Sequence, residues 1–185
     1  MTLAKVPAQA FFSPPHNCMH TTDSPQHHRT HASPPSVGDP APDFDLASTA
    51  GGSVSLSEFR DRKHVLLAFF PAAFTSTCTS ELCAFSDDFD VFGSVDVQVL
   101  PISVDAVPSL KEFKNKYQMN VELLSDFKRE ASAAYGVLWK DGFFANRAYF
   151  LIDPAGVVRW AHVEEHPGLR RENSEILDAI QALGA

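Results

Sequence analysis

The spacing of apolar residues changes along the chain, and each change marks an element. Residues 1 to about 35 show little apolar periodicity. From Val37 the pattern becomes regular: Phe44 and Leu46 alternate inward as an edge strand would. Ala50-Gly-Gly-Ser53 reads as a turn, with Val54 to Leu56 pairing back as a hairpin. Ser57-Glu-Phe-Arg60 suggests one helical turn. An apolar run from His64 to Phe70 then predicts a buried strand over Val65 to Phe70, stopped by Pro71. Beyond it, Leu82, Phe85, Phe89 and Phe92 share one face of a helix running from about Ser76 to Phe92.

The second half alternates in the same way. Val97 to Val104 is a β-branched strand leading to Asp105, and Pro108 to Tyr117 is a helix with proline in its first turn and Leu110, Phe113 and Tyr117 on one side. Val121 to Leu124 predicts a short strand, and Arg129 to Tyr135 a short helix ended by Gly136. Arg147 to Ile152 is a strand, turned at Asp153-Pro-Ala-Gly156 into an antiparallel partner over Val157 to Val163. A last helix, about Glu172 to Leu183, buries Ile176, Leu177 and Ile180. This order predicts an α/β sandwich: a central mixed β-sheet flanked by helices, preceded by an N-terminal hairpin.

Composition narrows the function classes. At 185 residues the chain suits one well-packed domain. Acidic residues outnumber basic ones by 23 to 15 with no basic block, which argues against nucleic acid or an anionic membrane as partner. No apolar run approaches the roughly 20 residues needed to span a bilayer. Residues 1–35 hold six of thirteen prolines and five of eight histidines, a composition expected to stay disordered ahead of a folded domain over 36–185. Ala8-Gln-Ala10 mimics a signal-cleavage site, but Lys5 and Pro7 interrupt the short apolar stretch before it. A metal reading of His16, Cys18, His20, His27, His28 and His31 is set against a polar tail that happens to be His-rich, the favoured reading. Three cysteines are too few for a secreted disulfide scaffold and fit a reducing, cytoplasmic compartment.

The candidate chemistry sits between the first buried strand and its helix. Cys78 falls in the first helical turn, where unpaired N–H groups and the positive end of the dipole favour negative charge. A thiol there should ionise more readily than a free one, and the thiolate is the reactive form. The chain contains no G-x-G-x-x-G, no G-x-x-x-x-G-K and no H-E-x-x-H, so nucleotide and zinc readings have nothing to rest on.

Pro71-x-x-x-Thr75-x-x-Cys78 directly after an apolar strand resembles the active-site motif of the peroxiredoxins. Val37-Gly-Asp-Pro-Ala-Pro-Asp-Phe44 looks like that family's opening, and Arg147 in Asn-Arg-Ala-Tyr-Phe-Leu-Ile-Asp153 looks like its distal arginine. Within the family, Phe69-Phe-Pro-x-Ala-Phe-Thr75 and Cys78-x-x-Glu-Leu82 look most like the one-cysteine alkyl hydroperoxide reductase E branch. The Cys78-x-x-x-x-Cys83 spacing is instead that of the bacterioferritin comigratory protein branch. The resemblance implies a thioredoxin-like fold and a thiol-dependent peroxidase for hydrogen peroxide or small organic hydroperoxides, with no metal, haem or flavin. It implies Cys78 as nucleophile, Thr75 orienting peroxide and sulfur, Pro71 shielding the thiolate, and Arg147 stabilising charge with Glu81 as its anchor. The rival reading of Glu81 is a simple first-turn helix carboxylate. Thioredoxin, a glutaredoxin-like protein or a small thiol would be the reductant, and a monomer or homodimer the working form.

Cys83 stays open. Five residues along a regular helix put two Cα atoms about 8–9 Å apart and about 140° around the axis, whereas a disulfide needs them within about 7 Å. Either Cys83 resolves a Cys78 sulfenic acid after the helix unwinds, which the spacing resemblance favours, or it is a buried residue facing the core. A thiol–disulfide oxidoreductase lacks its Cys-x-x-Cys here. A redox-inert module is the remaining rival.

Overall fold

The computed structural model describes residues 33–140 and 142–183. The N-terminal extension, with Cys18 and the histidines up to His31, therefore lies outside the described residues. Among the described residues seven strands form one mixed sheet: β1 (Asp45–Ser48), β2 (Ser53–Ser55), β3 (His64–Phe69), β4 (Val97–Ser103), β5 (Leu124–Ser125), β6 (Ala148–Ile152) and β7 (Val158–Val163). Their spatial order is β2-β1-β5-β4-β3-β6-β7. Among the described residues five α-helices accompany it, α1 (Ser76–Asp87), α2 (Phe89–Ser94), α3 (Val107–Tyr117), α4 (Glu130–Ala134) and α5 (Asn173–Ala182), with a single 3-10 turn at Leu56–Phe59.

The centre of the sheet follows from the apolar run at β3. A strand buried on both faces reads as continuous hydrophobicity, and β3 pairs in parallel with β4 on one side and antiparallel with β6 on the other. Its residues divide by parity, as a period of two requires. Val65, Leu67 and Phe69 enter one core with Tyr135 and Phe150, while Leu66, Ala68 and Phe70 enter a second with Leu82, Phe85, Phe113 and Cys78. On β6, Ala148, Phe150 and Ile152 join the first core and Tyr149 and Leu151 the second. The N-terminal hairpin forms as expected, with β1 and β2 antiparallel.

Three expectations need correction. The helix expected over 76–92 is two helices, breaking at Asp88 (φ −93°, ψ 14°), whose carboxylate accepts from Asn173 Nδ2 at 2.8 Å. The break leaves Phe89 exposed, while Phe85 and Phe92 stay buried with ring centroids 5.8 Å apart. The strand expected over 121–124 pairs only at Leu124 and Ser125, because the Leu123 N–H donates instead to Thr49 Oγ1. The helix expected from Arg129 begins one residue later, since Arg129 is left-handed (φ 64°) and precedes it as the cap.

Each core holds a buried tyrosine. Tyr135 donates to the Pro42 carbonyl at 2.9 Å, and burial, helped by Asp43, raises its pKa far above the usual tyrosine value. Burial likewise pushes Tyr149 up to about 12. An unfolded chain releases these protons near pH 10, so the stability they contribute is complete below that pH and is lost as pH rises above it. Urea midpoints should accordingly fall progressively between pH 10 and 12, and Tyr135→Phe should flatten that decline.

Candidate active site

The site forms where α1 begins on the second core. Pro71 is buried at the end of β3, and the loop after it is pinned by Asp105 at the end of β4, whose Oδ2 accepts from the Ala73 N–H and the Ser103 hydroxyl, each at 2.8 Å. Phe74 is left-handed (φ 66°), an unusual conformation for a bulky residue, and its ring rests on Phe113 at 5.0 Å. The chain thus turns sharply into Thr75, the extended N-cap of α1.

The first backbone bond of the helix runs from the Thr79 N–H to the Thr75 carbonyl at 2.9 Å. The N–H groups of Ser76, Thr77 and Cys78 therefore have no partner within the helix. Cys78, Leu82 and Phe85 share the inward face, and Cys78 is 1% exposed. The Thr75 hydroxyl donates to the Ala72 carbonyl at 3.1 Å, not to the sulfur, so its oxygen keeps lone pairs to accept with.

Across the sheet face, Arg147 stands immediately before β6 and is fully buried. Its Nη2 donates to Cys78 Sγ at 3.1 Å and to the Pro167 carbonyl at 3.3 Å, and its Nη1 to Glu81 Oε2. Its Nε has no partner among the described residues. Glu81 is also buried, and its other oxygen, Oε1, accepts from the Tyr149 hydroxyl. That hydroxyl in turn accepts from the Arg171 N–H at 3.1 Å. Arg171 and Pro167 belong to the strap between β7 and α5, which is held by the Arg171 Nε to Glu164 Oε1 contact at 3.0 Å. Cys78, Glu81 and Arg147 thus converge on one place, with Thr75 as the N-cap of the Cys78 helix and Pro71 in the loop that leads into it.

Cys83 lies elsewhere on α1, half-buried against the same core. Burial, and secondarily the Asp87 carboxylate, raises its thiol pKa above the ordinary value. Both cysteines sit inside an uninterrupted helix, Ser76–Asp87, and both are free thiols. A bond between them requires that helix to open. Tyr149, Asp105 and the strap were not singled out from sequence. The available signal for Tyr149 was its two-residue offset from Arg147, which places both on one face of a strand.

Removing one partner of a buried ion pair leaves the other charge uncompensated. Glu81→Ala should therefore cost about 3–5 kcal/mol of unfolding free energy. Arg159→Ala, at the exposed Arg159–Asp153 pair, should cost less than about 1 kcal/mol. Urea titration of both variants beside the parent protein measures the difference.

Comparison with known proteins places the chain as a whole. The sequence model of the AhpC/TSA family matches residues 37–161. Alkyl hydroperoxide reductase E of Mycobacterium tuberculosis is 38% identical over 151 residues, covering 80% of this chain and 98% of the relative. Peroxiredoxin-2 of Bos taurus is 35% identical over 156 residues, covering 79% and 77%. The crystal structure of reduced Plasmodium vivax 2-Cys peroxiredoxin superposes with a TM-score of 0.76 at 33% identity, covering 82% of this chain and 83% of that one. With its thioredoxin-like mixed sheet and its buried cysteine beside an arginine, the chain belongs to the AhpC/TSA family of thiol-dependent peroxidases, the peroxiredoxins.

Proposed function

We propose that this thiol-dependent peroxidase uses Cys78 as its nucleophile and Arg147 as the group that stabilises charge at the reacting oxygens. The observation that carries the reading is the guanidinium Nη2 lying 3.1 Å from the Sγ of a cysteine in the first turn of α1, whose opening N–H groups have no partner within the helix. Both surround the sulfur with donors and positive potential. In the reaction the thiolate attacks the outer peroxide oxygen. The S–O bond forms as the O–O bond breaks, and the departing oxygen takes a proton from solvent to leave as water or alcohol. Cys78 is left as a sulfenic acid.

The other residues supply orientation. Thr75 Oγ1, with its own proton committed to the Ala72 carbonyl, accepts from the peroxide O–H. Arg147 Nη2 and Nε face charge as it develops on the oxygens. Pro71 walls the sulfur from bulk water, and Glu81 anchors the guanidinium. Hydrogen peroxide and small organic hydroperoxides are the substrates of this reading, and a reducing cytosol is its setting, in keeping with two free thiols in the domain.

For resolution, the cycle assigned here is intramolecular: the Cys83 thiol condenses with the Cys78 sulfenic acid, forming a disulfide and releasing water. A second reading, with external thioredoxin, glutaredoxin-like protein or small thiol attacking Cys78 directly, is favoured by the unbroken helix and the raised Cys83 thiol. In both cases an external thiol returns the enzyme to its reduced form.

Cys78→Ser should abolish peroxide consumption with thiol reductant present, and retained consumption would refute the assignment. One equivalent of hydrogen peroxide should remove two hydrogens from the wild-type mass and yield a linked Cys78–Cys83 peptide that Cys83→Ser lacks. One added oxygen on Cys78 in both proteins would make the enzyme one-cysteine. Because the Cys83 thiol is held protonated by its surroundings, the disulfide-forming step should accelerate as pH rises from 6 to 9.

A further inference from the structure

Arg147 and Glu81 account for each other's charge, yet a carboxylate has two oxygens and a buried one needs donors on both. Arg147 takes Oε2, and the only other side chain bonded to the carboxylate among the described residues is Tyr149, through Oε1. Tyr149 is fully buried and its ring lies 6.5 Å from Trp160. Its hydroxyl lone pair is already engaged by the Arg171 N–H at 3.1 Å, which directs the hydroxyl proton at Glu81. The hydroxyl stays protonated well past neutrality, since burial pushes it up to about 12. No hydrogen bond joins Tyr149 to Cys78 among the described residues, and beyond Glu81 its oxygen serves only the Arg171 N–H.

We propose that Tyr149 is a positioning residue for the peroxidase reaction: its hydroxyl fixes the Glu81 carboxylate so that Arg147 presents Nη2 to the Cys78 sulfur. The proposal rests on the assignment of Cys78 and Arg147 made above. The path runs from the strap to the sulfur: Glu164 holds Arg171, the Arg171 N–H orients Tyr149, Tyr149 holds Glu81, and Glu81 holds Arg147. The charged or titratable groups around Glu81 are Cys78 on its own helix, Arg147 just before β6 and Tyr149 on it, and Arg170, Arg171 and Glu164 from the strap after β7, the last three acting through Tyr149. Without the hydroxyl, Glu81 loses a donor to its ionised form and takes up a proton more readily. It also swings more freely, and the guanidinium swings with it.

The test is Tyr149→Phe, which keeps the ring. Stopped-flow oxidation of reduced protein by hydrogen peroxide should slow by about tenfold, the equivalent of one hydrogen bond to a charged group. The acid limb of the pH–rate profile should move to higher pH, a change that packing alone would not cause. In the Glu81→Gln background, Tyr149→Phe should have no further effect, because it acts through that carboxylate. If Tyr149→Phe does not fold, 3-fluorotyrosine at position 149 replaces it. As a stronger donor it should move the acid limb to lower pH, and an unmoved limb overturns the proposal. A wild-type rate and profile for Tyr149→Phe, or losses that multiply independently with Glu81→Gln, overturn it while Cys78→Ser stays inactive. If wild type itself fails to react with peroxide, the underlying assignment falls as well.

Discussion

One buried charge organises the molecule. A guanidinium placed wholly inside a protein loses several kcal/mol of hydration, and only a carboxylate with further hydrogen bonds can offset it. Arg147 finds Glu81, the Pro167 carbonyl and the Cys78 sulfur. Glu81 and Cys78 stand on α1, Pro167 in the strap and Arg147 itself just before β6, so the pair specifies how these three pieces are brought together. On the function proposed above, the same constraint sets the reactivity of the site: with Glu81 balancing the arginine, an added negative charge on sulfur or peroxide still meets the free donors of Arg147 and of the helix start.

The sheet makes this arrangement possible. The antiparallel pairing of β3 and β6 sets Phe69 beside Ala148, so the loop leaving β3 and the residue entering β6 meet at one end of the sheet. The loop carries Pro71 and Thr75 into α1, and the entry residue is Arg147. Parallel pairing of β3 with β4 brings Asp105 to the same end, where it fixes the loop through the Ala73 N–H. Cys78, Arg147 and the loop between β3 and α1 are thus placed by three adjacent strands, not by sequence proximity.

Much of this was legible beforehand. A buried strand followed by proline and a capped helix identified the position of Cys78, since helix starts attract negative charge wherever they occur. The unbroken apolar run from His64 to Phe70 predicted the burial of β3, and the resemblance pointed to Arg147, which the fold sets beside Cys78. What remained hidden depended on long-range contacts. Tyr149 reads as an ordinary core aromatic until Glu81 stands opposite it, and Asp105 reads as a strand-end carboxylate until β4 lies beside β3. Phe89 had the spacing of a core residue, but a break at Asp88 that is tied to Asn173 on a distant helix turned it outward. Leu123 kept its burial and lost its strand pairing to the Thr49 side chain. Local periodicity carries no information about such partners.

The central claim is that Arg147 makes the sulfur reactive toward peroxide in particular, beyond favouring the thiolate. The direct measurement compares second-order rate constants of reduced wild type and Arg147→Lys with hydrogen peroxide and with iodoacetamide. Lysine keeps the positive charge but loses the planar fork that reaches sulfur and oxygen together. The account predicts that the peroxide rate falls by about 10²–10³-fold, the scale for losing one donor to a developing charge, while alkylation changes by less than about tenfold. Equal losses with both reagents, or an unchanged peroxide rate, would contradict it.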